Sequence, residues 1–172
     1  MIRHARPADH PAIREINEAA FPTGDEARLI EALRAAGDVM FELVAVADGA
    51  VVGHILFSRL WADRTALIAA LAPMAVRPEH QRKGLGSRLV ETGIDTCREF
   101  GAHAVIVLGH PDYYPRFGFV PASSMGIEAP DKSWGDHFQF LPLALWPGGV
   151  HGTFQYAEPF AAIESNAGSG KR

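Results

Sequence analysis

The stretch Met74-Ala75-Val76-Arg77-Pro78-Glu79-His80-Gln81-Arg82-Lys83-Gly84-Leu85-Gly86-Ser87 decides the fold. An apolar, strand-like segment ends at Val76, a short polar turn follows, and two glycines one residue apart open an amphipathic helical pattern. A chain that passes from strand to helix in this way leaves backbone N–H groups unbonded at the helix N-terminus, and those groups together with the helix dipole suit a phosphate-bearing ligand. Two nucleotide motifs compete for that reading, and neither fits. A phosphate loop ends in Gly-Lys-Ser/Thr, which is absent here, and a dinucleotide fingerprint needs a third small residue where this chain has Leu89. A bare Gly-x-Gly pair, taken alone, is more often a tight turn without a ligand.

Downstream, Leu89, Val90, Ile94 and Cys97 make an apolar helical stripe with Gly86 and Gly93 aligned on it, and Gly101 is placed to cap the end. Ala104 to Leu108 reads as a short buried strand, Asp112 to Phe117 as a brief turn or helix, and Phe138, Phe140, Leu141, Leu143 and Leu145 as a late strand; Phe154 to Phe160 is a candidate for one more. Upstream, Ala66 to Val76 is the third member of a meander. Pro73 inside it has no N–H for a ladder, which predicts a bulge or an unpaired edge. Asp48-Gly49 is a two-residue hairpin signal between Phe41–Ala47 and Val51–Leu60, and Ala62-Asp63-Arg64 turns the chain again.

Before the meander, Ile2 to Arg6 reads as a first strand. Asp9 reads as an N-cap for a helix carrying Ile13, Ile16 and Ala20, and Leu29, Ile30 and Leu33 mark a second helix ended by Gly37. The order predicts an α/β (α+β) fold: a mixed, largely antiparallel sheet flanked by helices, with one crossover helix after the glycine turn. Residues 1–164 are expected to form one domain, and the polar, glycine-rich residues 165–172 a disordered tail.

A net charge of −4 with both signs interspersed gives no global case for nucleic acid or an anionic membrane as partner. No apolar run approaches the ~20 residues of a membrane span, and the N-terminus lacks the apolar region of a signal peptide. The one cysteine, Cys97, excludes an internal disulfide framework and sits on the apolar stripe, so it is expected to be buried and inert. A cytoplasmic protein is the expectation. Asp136, His137, His151 and Glu158 lack metal-ligand spacing, so no metal is expected.

The fuller pattern Gln81-x-x-Gly84-x-Gly86, led by Val76-x-Pro78 and followed by Leu89, resembles the cofactor motif of the GCN5-related N-acetyltransferase (GNAT) family. Tyr114-Pro115-Arg116-Phe117-Gly118-Phe119 is similar to that family's tyrosine-x-x-x-Gly-Phe element, and the element order matches over roughly Ile2 to Leu145. The run Leu108 to Tyr114 is most similar to a bacterial subgroup of N-acetyltransferases. The resemblance implies splayed central strands and acetyl-CoA (coenzyme A) as co-substrate. It implies pantetheine pairing along Met74, Ala75 and Val76, and a pyrophosphate cradled by Gln81, Arg82, Lys83, Gly84, Leu85, Gly86 and Ser87. It also makes the Met74 N–H a candidate oxyanion donor and the side chains of Arg77, Arg82 and Lys83 candidate phosphate contacts.

The implied reaction is transfer of an acetyl group to a primary amine, small-molecule or peptide, by direct attack in a ternary complex. Tyr114 aligns with the general-acid tyrosine. A phenol stays protonated at neutral pH and can donate to a leaving thiolate. Tyr113 is its neighbour and rival, at a position read as core. The asparagine that often precedes the tyrosine is missing, and Pro111 and Pro115 flank the pair, so a truncated or re-aimed helix is expected there. Candidate bases are His54 on a meander strand and Glu26 at the start of the second helix; His110 has a loop context, and ordered water is a further option. The alternative is a non-catalytic acyl-CoA-binding sensor or regulatory domain on the same fold. The aromatics Trp134, Phe138, Phe140 and Trp146 fit core packing, an apolar acceptor pocket or a homodimer contact.

Overall fold

A computed structural model of the chain describes residues 1–62, 65–150, 152–154 and 156–160. In chain order its elements are β1 (Ile2–His4), α1 (His10–Ala20), α2 (Asp25–Ala36), β2 (Val39–Ala47), β3 (Ala50–Ala62), β4 (Ala66–Val76), α3 (Leu85–Glu99), β5 (Ala104–Leu108), β6 (Val120–Pro121), β7 (Ile127–Glu128), β8 (Phe138–Pro142) and β9 (Gly152–Thr153). A seven-stranded sheet runs in the order β1-β2-β3-β4-β5-β8-β6, and β7 pairs with β9 in a separate ribbon. Every neighbour pair of the large sheet is antiparallel except β4–β5, the parallel pair bridged by α3. The mixed, largely antiparallel sheet flanked by helices is therefore as expected.

The hairpin turn at Asp48-Gly49 has φ of 50° and 78°, the left-handed conformation that suits the twist of the strands it joins. The bulge expected from Pro73 is present. Ile55 pairs with Met74 and Phe57 with Leu71, so Leu56 opposes both Ala72 and Pro73. Beyond that point β4 leaves its other neighbour, because β4–β5 pairing ends at Leu71–Val107 while β4 runs on to Val76. Among the described residues no strand pairs with the far edge of Ala72–Val76, and this parting positions the candidate site.

Three side-chain clusters make the core. On one sheet face Leu89, Val90 and Ile94 of α3 pack on Phe41, Leu43, Ile55, Phe57 and Leu71. On the other, Ile13 and Ile16 of α1 and Leu29, Ile30 and Leu33 of α2 cover Val44, Leu56 and Ala75. Further along that sheet Ile68, Ala70 and Ile106 meet Phe138, Phe140 and Phe154, with Trp134, Trp146 and Tyr156 packed against them. The late aromatics thus build core.

Local corrections follow from hydrogen bonding. Asp9 does not cap α1 with its side chain; its carboxylate turns back to the Arg3 guanidinium (2.7 and 3.0 Å) and the Arg6 N–H (2.7 Å). The hydrogen bond from Arg3 prevails over partial burial and, with the Arg6 N–H, holds that carboxyl at about 2. The late strand stops at Pro142, leaving Leu145 exposed, and the candidate strand at 154–160 is instead a short ribbon at Gly152–Thr153 followed by a 3-10 turn at Glu158–Phe160. The Asp63-Arg64 part of the predicted turn, His151 and the tail lie outside the described residues.

Gly93 shows how closely α3 sits on the sheet: a Cβ there would come 2.4 Å from Phe57 Cε2. Gly93→Ala must push α3 outward or turn the Phe57 ring, at a cost of about 2 kcal/mol for overpacking. Guanidinium denaturation should show a lowered midpoint with an unchanged slope; an unchanged midpoint would mean that the helix is not held at this distance.

Candidate acyl-CoA site

The site begins at the free edge of β4. The Arg77 N–H donates to Val52 O of β3 (2.8 Å), and ladder alternation then sends the backbone groups of Met74 and Val76 away from β3, toward the parting. The Val76 carbonyl accepts from Gln81 Nε2 (2.9 Å), which ties the polar turn to the end of the strand. A 3-10 turn at Pro78–His80 follows, and the chain then takes positive φ at Arg82 (61°) and Gly84 (80°). Positive φ is costly for a non-glycine residue, so Arg82 marks a tightly curled turn.

The hydrogen-bond ladder of α3 starts with the Arg88 N–H on Gly84 O (3.1 Å), so the N–H groups of Leu85, Gly86 and Ser87 precede it and no side chain caps them. At Gly86 a Cβ would lie 3.8 Å from both Met74 Cε and Tyr113 Oη, an ordinary contact. Protein packing therefore does not require glycine there, and the space over that backbone lies between β4 and the tyrosine loop. Arg82 and Lys83 are exposed. Arg77 is not turned to this space, since its side chain donates to Val51 O (3.1 Å) and faces Glu15 (3.6 Å).

Across the parting, residues 114–117 form a single 3-10 turn closed by Gly118 at φ 99°, the truncation expected from Pro111 and Pro115. Tyr114 is 8% exposed and packs edge-on against Phe119 and Tyr113. Its ring lies over Gly109, where a Cβ would come 2.3 Å from Tyr114 Cε2, so the end of β5 needs a glycine to admit the ring. Burial, aided by Tyr113, pushes the Tyr114 phenol up to about 12. Tyr113 is only half-buried. Its hydroxyl meets Ser87 Oγ at 2.9 Å, and the Arg116 guanidinium lies 4.4 Å above its ring. The Ser87–Tyr113 bridge joins the first turn of α3 to the tyrosine loop, and no sequence signal announces it.

His54 lies apart from these groups. It is wholly buried on the α1–α2 face of β3. Its Nε2 is 2.9 Å from Glu42 Oε1 and its Nδ1 is 3.2 Å from Asn17 Nδ2, whose amide also donates to Ile13 O (2.9 Å). An Nε2–H tautomer satisfies all three bonds. Glu42 in turn accepts two bonds from Arg34 (2.7 and 2.9 Å). Burial lowers the His54 pKa against the pull of Glu42. Burial would raise that of Glu42, but the bonds from His54 and Arg34 hold it below the usual carboxylate range. The direction we stand behind is an ionised Glu42 paired with Arg34 beside a neutral His54. Glu26 is buried in the first turn of α2, and His110 is exposed. Cys97 is buried, which pushes its thiol up.

A cleft of about 200 Å³ adjoins the turn, lined by Val46, Val52, His80, Lys83, Leu85 and Arg88. A larger groove of about 710 Å³ lies at the other end of β3, at Arg59 and Leu60, and shares no residue with the turn. We place the site by the backbone geometry of the parting, where the N–H groups of Leu85, Gly86 and Ser87 stand ahead of the helix ladder. Among the described residues no group of three His, Cys, Asp or Glu is arranged to hold a metal. No helix among them is long and apolar enough to cross a membrane.

Residues 10–119, which hold the free edge, the turn and the tyrosine loop, match the model of the acetyltransferase (GNAT) family. The chain belongs to the GNAT family. Among GNAT relatives it is 42% identical over 161 residues to the uncharacterized N-acetyltransferase YjhQ of Escherichia coli K12, spanning 88% of this chain and 89% of that protein. It is 35% identical over 163 residues to the uncharacterized N-acetyltransferase YhbS of the same strain, spanning 93% of this chain and 98% of that protein. The crystal structure of E. coli YhbS in complex with CoA superposes with a TM-score of 0.89 at 34% identity over 94% of this chain and 91% of that one. A GNAT acetyltransferase from Brucella melitensis in complex with acetyl-CoA gives 0.77 at 32% identity over 93% and 97%. The protein is thus an N-acetyltransferase of this family, and the two superposed relatives hold CoA and acetyl-CoA.

The two depressed pKa values set an acid limit on stability. The folded chain resists the proton that an unfolded histidine takes up below its ordinary value of 6.5, and resists protonation of Glu42 below about 4.3, the ordinary glutamate value. Stability should therefore fall as pH drops below 6.5, and further below 4.3. Glu42→Gln should remove the lower part of that fall and leave a less stable protein at pH 7, as followed by urea midpoints. His54→Gln should keep the pH profile of kcat. If the acid limb of that profile vanished in His54→Gln, His54 would be the base after all.

Proposed function

We propose that the enzyme moves an acetyl group to a primary amine by direct attack in a ternary complex, with Tyr114 as general acid. The observation that carries this reading is the facing of two features across one parting in the sheet: the free edge of Met74–Val76 leading into the glycine turn, and the buried Tyr114 ring seated on Gly109. In this reading the pantetheine amides pair with Met74 and Val76 like an added strand. The pyrophosphate rests on the N–H groups of Leu85, Gly86 and Ser87, with Gln81 bracing the turn and Arg82 and Lys83 at its rim. Relatives crystallised with CoA or acetyl-CoA support the ligand.

The amine attacks the thioester carbon, and the Met74 N–H donates to the oxygen as it gains charge. The C–S bond then breaks and the Tyr114 O–H donates toward the departing thiolate. A phenol at about 12 is a weak acid in water. The apolar setting that raises it also disfavours the thiolate, so transfer between the two is less uphill there than in solution. The attacking nitrogen passes its proton to a base, for which Glu26, buried at the start of α2, is the residue this reading retains, directly or through water. The late aromatics carry no part of the reading, since they are occupied with one another.

CoA release measured against a panel of primary amines tests the activity. Tyr114→Phe should lower kcat by about 10²-fold, the usual worth of a general acid, with little change in KM for acetyl-CoA. Full turnover in that variant at every pH would remove the acid. The raised phenol also predicts no alkaline limb in kcat from Tyr114 up to about pH 10, because the acid stays protonated there. Gly86→Ala separately tests the donor side: KM for acetyl-CoA should rise about tenfold while the melting temperature holds, since the protein itself leaves room for a Cβ. A parallel loss of stability would mean that Gly86 serves packing.

A further inference from the structure

We propose that Gln139 is a positioning residue that sets where the Tyr114 hydroxyl stands; the inference rests on the reading of Tyr114 as acid. Gln139 lies on β8 between Phe138 and Phe140, and its residue is 1% exposed. Phe138 and Phe140 face the aromatic cluster on one side of the sheet, so Gln139 points to the other side with Leu141, which packs in the same cluster as Tyr114 and Phe119. An amide buried among such neighbours is costly unless its hydrogen bonds are made. Gln139 Nε2 donates to Gly109 O (3.1 Å) and to His110 O (3.3 Å).

Both acceptors lead straight to Tyr114. His110 O also accepts from the backbone N–H of Tyr113 (3.1 Å) and of Tyr114 (3.3 Å). Gly109 is the residue on which the Tyr114 ring lies, and its own N–H is fixed to His137 O of the segment entering β8 (2.9 Å). One side-chain amide therefore holds two successive carbonyls where the chain leaves β5 for the tyrosine loop, beyond the last β4–β5 pair. The 3-10 turn after it is one turn long and supplies little rigidity of its own. An apolar residue at 139 would fill the space but would leave two carbonyls without this donor and the loop free to shift.

The test uses Gln139→Met, which keeps the length and loses the donor, and Gln139→Glu, which sets a carboxylate against two carbonyls. Expected is a fall in kcat of about 10-fold to 10²-fold, greater for Glu than for Met, with KM for acetyl-CoA within about twofold, because misplacing a reacting group by ~1 Å costs rate on that scale. In the Tyr114→Phe background Gln139→Met should have no further effect on kcat, since it acts through that hydroxyl. Equal losses in both backgrounds, or none in either, would overturn the proposal. The ring resonances of Tyr114, assigned by their loss from tyrosine-labelled Tyr114→Phe, should move in Gln139→Met. If Tyr114→Phe turned over normally, the acid reading would fall, and these resonances alone would decide the positioning claim: unmoved signals end it. Should Gln139→Met not melt cooperatively, Gln139→Asn, which keeps the amide but withdraws it by one methylene, carries the same measurements.

Discussion

The parting of β4 from β5 after Leu71 is the constraint on which the rest of the structure depends. A parallel pair bridged by a helix normally keeps its ladder to the ends of the strands. Here Pro73 removes a donor, and the bulge opposite Leu56 bends β4 where its pairing with β5 ends. The bend frees one edge for Met74 and Val76 and opens a gap between two otherwise continuous halves of the sheet. The proposed donor edge and the proposed acid sit on the two sides of that gap. The sheet tolerates the opening because the lower halves of the same strands are fully paired and packed, with Ile68, Ala70 and Ile106 at the centre of a buried cluster.

A second set of polar groups, buried or half-buried on the opposite face, has a different task. Asn17, His54, Glu42 and Arg34 join α1, β3, β2 and α2 through side chains alone. Arg34 neutralises the one ionised carboxylate, and the histidine bridges charge to amide with both ring nitrogens used. A lone histidine on a strand near a cleft invites a catalytic role, but a group whose lone pair already accepts from Asn17 has no open position for a substrate proton. What the network offers is a fixed seat for the helix pair: without it, an apolar helix face on an apolar sheet face could slide.

The sequence disclosed the backbone better than the side chains, for a physical reason. Gly84, Gly101, Asp48-Gly49 and Pro73 each force a local conformation, and a local conformation can be read from local residues. The glycine turn and the tyrosine element were legible as motifs for the same reason. The fate of a polar side chain depends on what the fold brings to it from afar. Nothing within several residues of Asp9 shows that it turns back to Arg3, and nothing near Ser87 shows that Tyr113, 26 residues away, will meet it. The partners of His54, Asn17 and Glu42, come from α1 and β2 and are likewise invisible in the residues beside it. In the late chain the strand from Phe138 was legible, but not its end at Pro142 nor the turn at Glu158–Phe160, because the aromatic residues beyond it serve a shared cluster with little regular backbone.

Tyr113 and Tyr114 show how one loop can give identical side chains unlike chemistry. Successive residues of a tight turn must point in different directions, so one ring goes under the loop onto Gly109 and the other goes out to Ser87 and Arg116. The inner phenol loses water, its proton is held more tightly, and its position is fixed by aromatic neighbours. The outer phenol keeps a polar partner and a guanidinium over its face. In the proposed reaction the inner ring suits donation to a sulfur in an apolar slot, where a fixed direction matters more than acidity in water. The outer ring suits a structural part, linking the helix that would hold the phosphates to the loop that would hold the acid. Exchanging the two residues would preserve composition and motif spacing. It would also keep a tyrosine in each direction, so the division of labour belongs to the turn and to what anchors it, which is why the anchor at Gln139 bears on the chemistry.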